Sequence, residues 1–201
     1  MSRSASRSKA PQPLYTIGHS TRTTQELTDI LRGAQVTRLV DIRSIPRSRT
    51  NPQFNEDVLP NTLACAGIGY VRLAALGGRR AKRKLDPAAS HAETAAAENA
   101  GWEVQAFRNY ADYCDTPEFR RGLGELLTLA AEESCAIMCA EAVWWRCHRR
   151  IVTDYVLARG VPVIHLLSAT TSTPATMTPF AVVGARGRIS YPAPSALADP
   201  A

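Results

Sequence analysis

Reactive side chains are densest in residues 135–150, CAIMCAEAVWWRCHRR. An apolar run from Cys135 to Ala140 ends at an acid, Glu141. A turn with two tryptophans then leads to Cys147, His148, Arg149 and Arg150 at the opening of an amphipathic helix. A thiol at a helix N-terminus, flanked by Arg and His, has its thiolate favoured by the helix dipole and by the cations. Cys139 and Cys147 could serve as nucleophile and partner in acyl, alkyl or sulfur transfer, with His148 beside them. Inert burial is the competing reading, because free cysteine is among the most buried residue types. It is the default for Cys65, Cys114 and Cys135.

Glu141 is a candidate general acid or base, with a structural ion pair to Arg146 or Arg149 as the alternative. Asp41 holds the same position at the end of an earlier apolar run, and His19 follows Gly18 at the end of the first. Ligands of α/β proteins bind beyond the carboxyl ends of the strands, so the three groups are expected to converge on one site. Arginines follow two of these ends: Arg43, Arg47 and Arg49 after one, Arg146, Arg149 and Arg150 after the other. Guanidinium forks match phosphate geometry, so Arg43, Arg47, Arg146 and Arg149 are read as anion-binding. Trp144 and Trp145 lie between charged residues and are candidates for stacking on a base, or for a lid packed over the sheet edge. Cys139, Cys147, His148 and His19 are metal-ligand types. The spacing C-x7-C-H is not a zinc spacing, however, and Cys147 and His148 are expected to point apart on a helix. No metal and no cofactor is expected.

Those groups need strands and helices to carry them. Leu14-Tyr-Thr-Ile-Gly18 reads as a strand, and Thr23 with Glu26 forms a capping box for a helix through Leu27, Ile30 and Leu31. A second strand spans 36–42 and a third 68–73, and residues 55–66 read as a helix interrupted near Pro60. Helical spacing returns at Phe107, Tyr110, Ala111 and Cys114. It returns again after the Thr116 cap and Pro117, with a stripe at Phe119, Leu123, Leu126, Leu127 and Ala130. Strands at 135–140 and 161–167 flank a helix that ends at Gly160. Strand–helix alternation implies an α/β domain of three-layer type, a mainly parallel sheet flanked by helices, over residues 14–167. Residues 1–13 read as a disordered basic tail, and 168–201 as a linker and C-terminal extension with a hairpin at 180–183 and 188–191.

The chain has 201 residues, 45% of them hydrophobic, a net charge of +6 and a pI of about 9.3. No apolar run is long enough to span a membrane, and none resembles a secretory signal. Five cysteines do not make a disulfide framework, so a reducing, cytoplasmic setting is expected. A further basic cluster, Arg79, Arg80, Lys82, Arg83 and Lys84, opens a basic and then Ala/Glu-rich insertion. Such clusters suit polyanions, although a solvated face is the plainer reading of this one.

Four motifs in order carry a resemblance. They are Tyr15-Thr-Ile-Gly-His-Ser20; Asp41-Ile-Arg43 with Pro46-Arg47-Ser48; Asn109-Tyr-Ala-Asp-Tyr113; and Cys139-Ala-Glu141 with Cys147-His-Arg149. Together they resemble a bacterial and archaeal family catalogued as domain of unknown function 488, over residues 14–167. The resemblance implies a compact α/β fold and no established reaction. Many members are polar and charged between Glu141 and Cys147, whereas this chain has Ala142-Val-Trp-Trp-Arg146.

Two functions follow as expectations. The first is an enzyme acting on a nucleotide, nucleic acid or other phosphorylated substrate, with Glu141, Cys147, His148, Asp41 and His19 as its chemical groups. The second is a non-catalytic nucleic-acid-binding module using the same cleft and basic surface. A redox protein ranks below both, because no CxxC is present.

Overall fold

The computed structural model describes residues 12–80 and 98–193. The basic tail, apart from residues 12 and 13, and most of the basic insertion lie outside that range. Strands β1 (Leu14–Gly18), β2 (Arg38–Asp41), β3 (Gly69–Arg72), β4 (Cys135–Cys139) and β5 (Val163–Leu166) form one parallel sheet. A sixth, β6 (Ser172–Pro174), joins it antiparallel, giving the order β3-β2-β4-β1-β5-β6. The expected strands are therefore present, trimmed by up to three residues at their ends. Residues 168–178 differ from the expected linker, because three exposed residues, Ser-Thr-Pro, complete the sheet edge through backbone pairing to β5.

Helices cover both faces, as a three-layer α/β fold requires. Helix α1 (Thr24–Gly33) carries the expected capping box: Thr23 accepts from the Glu26 N–H while the Glu26 carboxylate accepts from the Thr23 N–H. Helix α2 (Leu59–Cys65) places Pro60 in its first turn, where no N–H is needed, so proline starts this helix and does not interrupt it. Both pack on one face, with Ile17, Leu39, Ala136 and Met138 from the sheet. Helices α3 (Gln105–Tyr113), α4 (Pro117–Glu132) and α5 (Arg149–Leu157) pack on the other, against Val40, Cys135, Ile137 and Cys139. In β4 the pattern alternates between the two faces while all five residues are buried, as befits a central strand. Among the described residues no helix is long and apolar enough to cross a membrane.

The C-terminal segment is tied to the domain. Strands β7 (Val182–Val183) and β8 (Ile189–Ser190) pair as the expected hairpin, and Tyr191 after them is fully buried against Trp102 and Phe180. Its hydroxyl donates to the Asp154 carboxylate at 3.0 Å, and the Thr178 N–H donates to the other carboxylate oxygen at 2.8 Å. Burial raises the Asp154 pKa, against these hydrogen bonds and the nearby Arg150 charge, which hold it down. Replacing Asp154 by Ala leaves two buried donors unpartnered. Urea unfolding is expected to show a loss of about 2–4 kcal/mol, with Asp154→Asn losing less; no change would mean that the segment is held by its apolar contacts alone.

Candidate active site

Connections from β1 and β2 run toward the β3 edge, and those from β3 and β4 run the other way. The loops therefore part between β2 and β4 at the carboxyl edge, which is where α/β sheets open a crevice. A cleft of about 630 Å³ lies there, bordered by the residues that follow β1, β2 and β4. His19, Arg43, Arg47, Glu141, Arg146, Cys147 and His148 all reach it. Asp41, Arg149, Trp144 and Trp145 are not among its lining residues.

Local backbone geometry sets the thiols. After β4 the chain passes directly over β1, where a Cβ on Gly18 would collide with the Glu141 carbonyl. A 3-10 turn, Trp144–Arg146, folds the chain back, and Cys147 follows in extended conformation (φ −134, ψ 149). Helix α5 begins only at Arg149, with His148 as its N-cap. Cys147 is thus before the helix, not in its first turn, and it does not point away from His148. Its Sγ lies 2.7 Å from Cys139 Sγ and 3.5 Å from His148 Nδ1. His148 Nε2 faces the Ile42 carbonyl at 3.1 Å. A carbonyl only accepts, so Nε2 carries a proton and Nδ1 is the nitrogen turned to the thiol. Room for the ring comes from Gly78, where a Cβ would overlap the imidazole.

Charge follows the geometry. Arg149 is 1% exposed. Its Nη2 donates to the carbonyls of Glu141 (2.6 Å) and Ala142 (3.4 Å), and Nη1 approaches Thr16 Oγ1 at 3.5 Å. Burial alone would raise the Cys147 pKa. The hydrogen bond from Cys139, the His148 imidazole and the Arg149 guanidinium reverse that and hold it well below the ordinary thiol value. Cys139 goes the other way, pushed well up by burial and by its neighbour's charge. Cys139, Cys147 and His148 present ligand atoms within 4.8 Å of one another, a set suited to a thiophilic divalent ion. The buried guanidinium already supplies positive charge at both sulfurs, which opposes a dication there.

Some of the other expected groups serve the scaffold, and others stay at the cleft. Asp41 is fully buried and bidentate with Arg43, at 2.6 to 3.0 Å, and accepts from the Tyr70 hydroxyl at 2.9 Å. A carboxylate so paired is held by the scaffold and is not a free base in this structure. Arg43 also donates to the Phe54 carbonyl at 2.7 Å and faces His19 Nε2 at 3.3 Å. His19 Nδ1 then donates to the Ser20 carbonyl at 2.9 Å, and the ring stacks on Phe54. Arg149, expected as an anion ligand, is enclosed by carbonyls and sulfurs. Glu141 is exposed, and among the described residues its carboxylate makes no ion pair; it is its carbonyl that meets Arg149. Arg47 and Arg146 are exposed at the cleft, joined by Arg79. Trp144 stacks on His165 at 4.3 Å, and Trp145 is 47% exposed. An apolar wall of Ile45, Val104, Ala106 and Phe107 was missed, because only the fold brings these segments together.

The family described as Domain of unknown function DUF488 matches residues 23–156, about two thirds of the chain. No curated protein and no solved structure matches it.

Two buried histidines set an acid limit for this region. Burial lowers the pKa of both His19 and His165 from 6.5 to about 4, with the Arg43 charge adding to the effect at His19 and Arg149 at His165. Each folded pKa is below the unfolded value, so the unfolded chain binds more protons between pH 6.5 and 4. Stability is therefore complete above about pH 6.5 and falls as the pH drops toward 4, by about 3 kcal/mol per histidine. Urea midpoints at pH 7 and pH 4 should differ less in His165→Gln than in the parent; equal differences would show that His165 titrates alike in both states.

Proposed function

The chain belongs to the DUF488 family, and on that premise we propose that it is a covalent group-transfer enzyme, with Cys147 attacking a small phosphorylated or otherwise anionic substrate. One observation carries the reading: the His148 ring is held by the Ile42 carbonyl at Nε2 while Nδ1 faces the Cys147 thiol at the floor of the cleft. Nucleophile, base and orienting acceptor in line is the arrangement that activates a thiol.

The steps follow from the positions. Nδ1 of His148 takes the Cys147 proton, and the Arg149 guanidinium holds the thiolate. Sγ forms a bond to the electrophilic centre, the bond from that centre to its leaving group breaks, and the imidazolium returns its proton to the departing group. Glu141, exposed at the cleft, is placed to take a proton from the incoming acceptor that later releases the group. Arg47, Arg79 and Arg146 outnumber Glu141 at the opening and favour an anion. A cavity of about 630 Å³ is the size of a small-molecule site. That supports a metabolite or mononucleotide over a polynucleotide, and neither tryptophan lines the cleft to stack on a base.

Alkylation by iodoacetamide, mapped by peptide mass spectrometry from pH 5 to 9, tests the nucleophile. Cys147 should react first among the thiols, with a pH midpoint below that of a free thiol. His148→Ala should slow it about tenfold near neutral pH. An unchanged rate and midpoint in that variant would remove the histidine from the mechanism. Inorganic phosphate should slow the labelling of the parent protein and not that of Arg47→Gln plus Arg146→Gln; equal behaviour of the two proteins would remove the anion site.

A further inference from the structure

Cys139 forms no bond to substrate in the group transfer just described, yet its sulfur lies against that of the nucleophile. The Sγ atoms are 2.7 Å apart, and a disulfide brings them to about 2.05 Å. Bond formation therefore asks for a shift of about 0.7 Å, with both thiols free. Their spacing, C-x7-C, gave no sign of this; the 3-10 turn at Trp144–Arg146 is what folds one thiol onto the other.

The two sulfurs are unequal in the way that a nucleophile and its resolving partner are. Cys147 faces His148 and the cleft. Cys139 ends a buried strand and turns toward the Glu141 carbonyl, which Arg149 holds. Cys139 and Cys147 are 2% and 3% exposed as residues and both border the cleft, so a protein disulfide does not reach them while a small oxidant in the cleft does. We propose that Cys147 and Cys139 form a two-electron redox couple that reduces a small hydroperoxide and ends as an intramolecular disulfide. This rests on the same Cys147 nucleophile as the group-transfer reading but requires none of its substrates.

The steps balance. The Cys147 thiolate attacks the terminal oxygen of ROOH, the O–O bond breaks, and the alkoxide takes a proton from the His148 imidazolium and leaves as ROH. Cys147 is then a sulfenic acid. Cys139 attacks its sulfur, the S–S bond forms, and hydroxide departs with the Cys139 proton as water. The dithiol has lost two electrons and the peroxide has gained them. The disulfide removes the nucleophile, so the group transfer stops until a small dithiol reduces the bond.

Of the other thiols, Cys114 and Cys135 are buried with pKa values raised by burial, Cys135 to about 11, whereas Cys65 is exposed. The test therefore uses the full chain carrying Cys65→Ser, reduced and then treated with stoichiometric hydrogen peroxide. Thiol titration should fall by two per chain. Peptides cut after Arg146 should be found joined through Cys139 and Cys147, and dimedone should label nothing. With Cys139→Ser added, dimedone should label Cys147. Dimedone labelling of Cys147 without the cross-link in the Cys65→Ser chain would overturn the proposal, as would a cross-link between other cysteines. That chain alone decides the matter if the second variant does not fold. Normal iodoacetamide labelling of Cys147 in the reduced chain, with no cross-link after peroxide, would sink the redox couple and leave the group-transfer reading standing; failure of the reduced chain to label at Cys147 would sink the latter.

Discussion

A guanidinium sealed under the carboxyl edge of the sheet, without a carboxylate partner among the described residues, is the constraint from which the site follows. Burying a lone cation is costly unless hydrogen bonds and an opposite charge compensate it. Arg149 finds the hydrogen bonds in the Glu141 and Ala142 carbonyls and in Thr16, and a favourable charge interaction with the sulfurs of Cys139 and Cys147. Each group supports the other: the cation lowers the Cys147 pKa, and the two sulfurs raise that of the buried guanidinium. The same carbonyls belong to the loop that crosses Gly18, so the charge balance also fixes the path from β4 to α5.

Across the cleft, Arg43 plays the opposite part. Its fork is saturated by Asp41, Phe54 and His19, which ties the ends of β1 and β2 to the 3-10 turn Pro52–Phe54. Residue types that look catalytic are consumed here in holding three segments together. The side chains that border the cleft include Cys147, His148 and Glu141 on one rim, with Arg47, Arg79 and Arg146 around them.

Much of the fold could be read from the sequence because its signals are local. The Thr23–Glu26 box, the Thr116 cap and the stripe from Phe119 to Ala130 each declare a helix within a few residues, and β4 is an unbroken apolar run. Strand β6 could not, since its three residues, Ser-Thr-Pro, are exposed and carry no apolar alternation, and backbone pairing makes them a strand. Arg149 was hidden for a related reason. Its partners are main-chain carbonyls, which no residue type reveals, and an Arg at a helix start reads as a surface group. Cys139 and Cys147 were visible as candidates, but their contact depends on an extended residue after a 3-10 turn, a detail that spacing does not encode.

The position of β4 has a consequence for how the chain reaches this state. Strands β1 and β2 are not neighbours; each pairs with β4, which lies between them in the sheet and about a hundred residues beyond them in sequence. A nascent chain leaving the ribosome has no partner for β1 until β4 emerges, and β2 has only β3. Strand β1 must therefore wait unpaired and β2 with one edge open, and sheet closure is a late, long-range event of the slow kind that high contact order produces. The cleft is completed in that same event, because its floor is the end of the strand that arrives last between them.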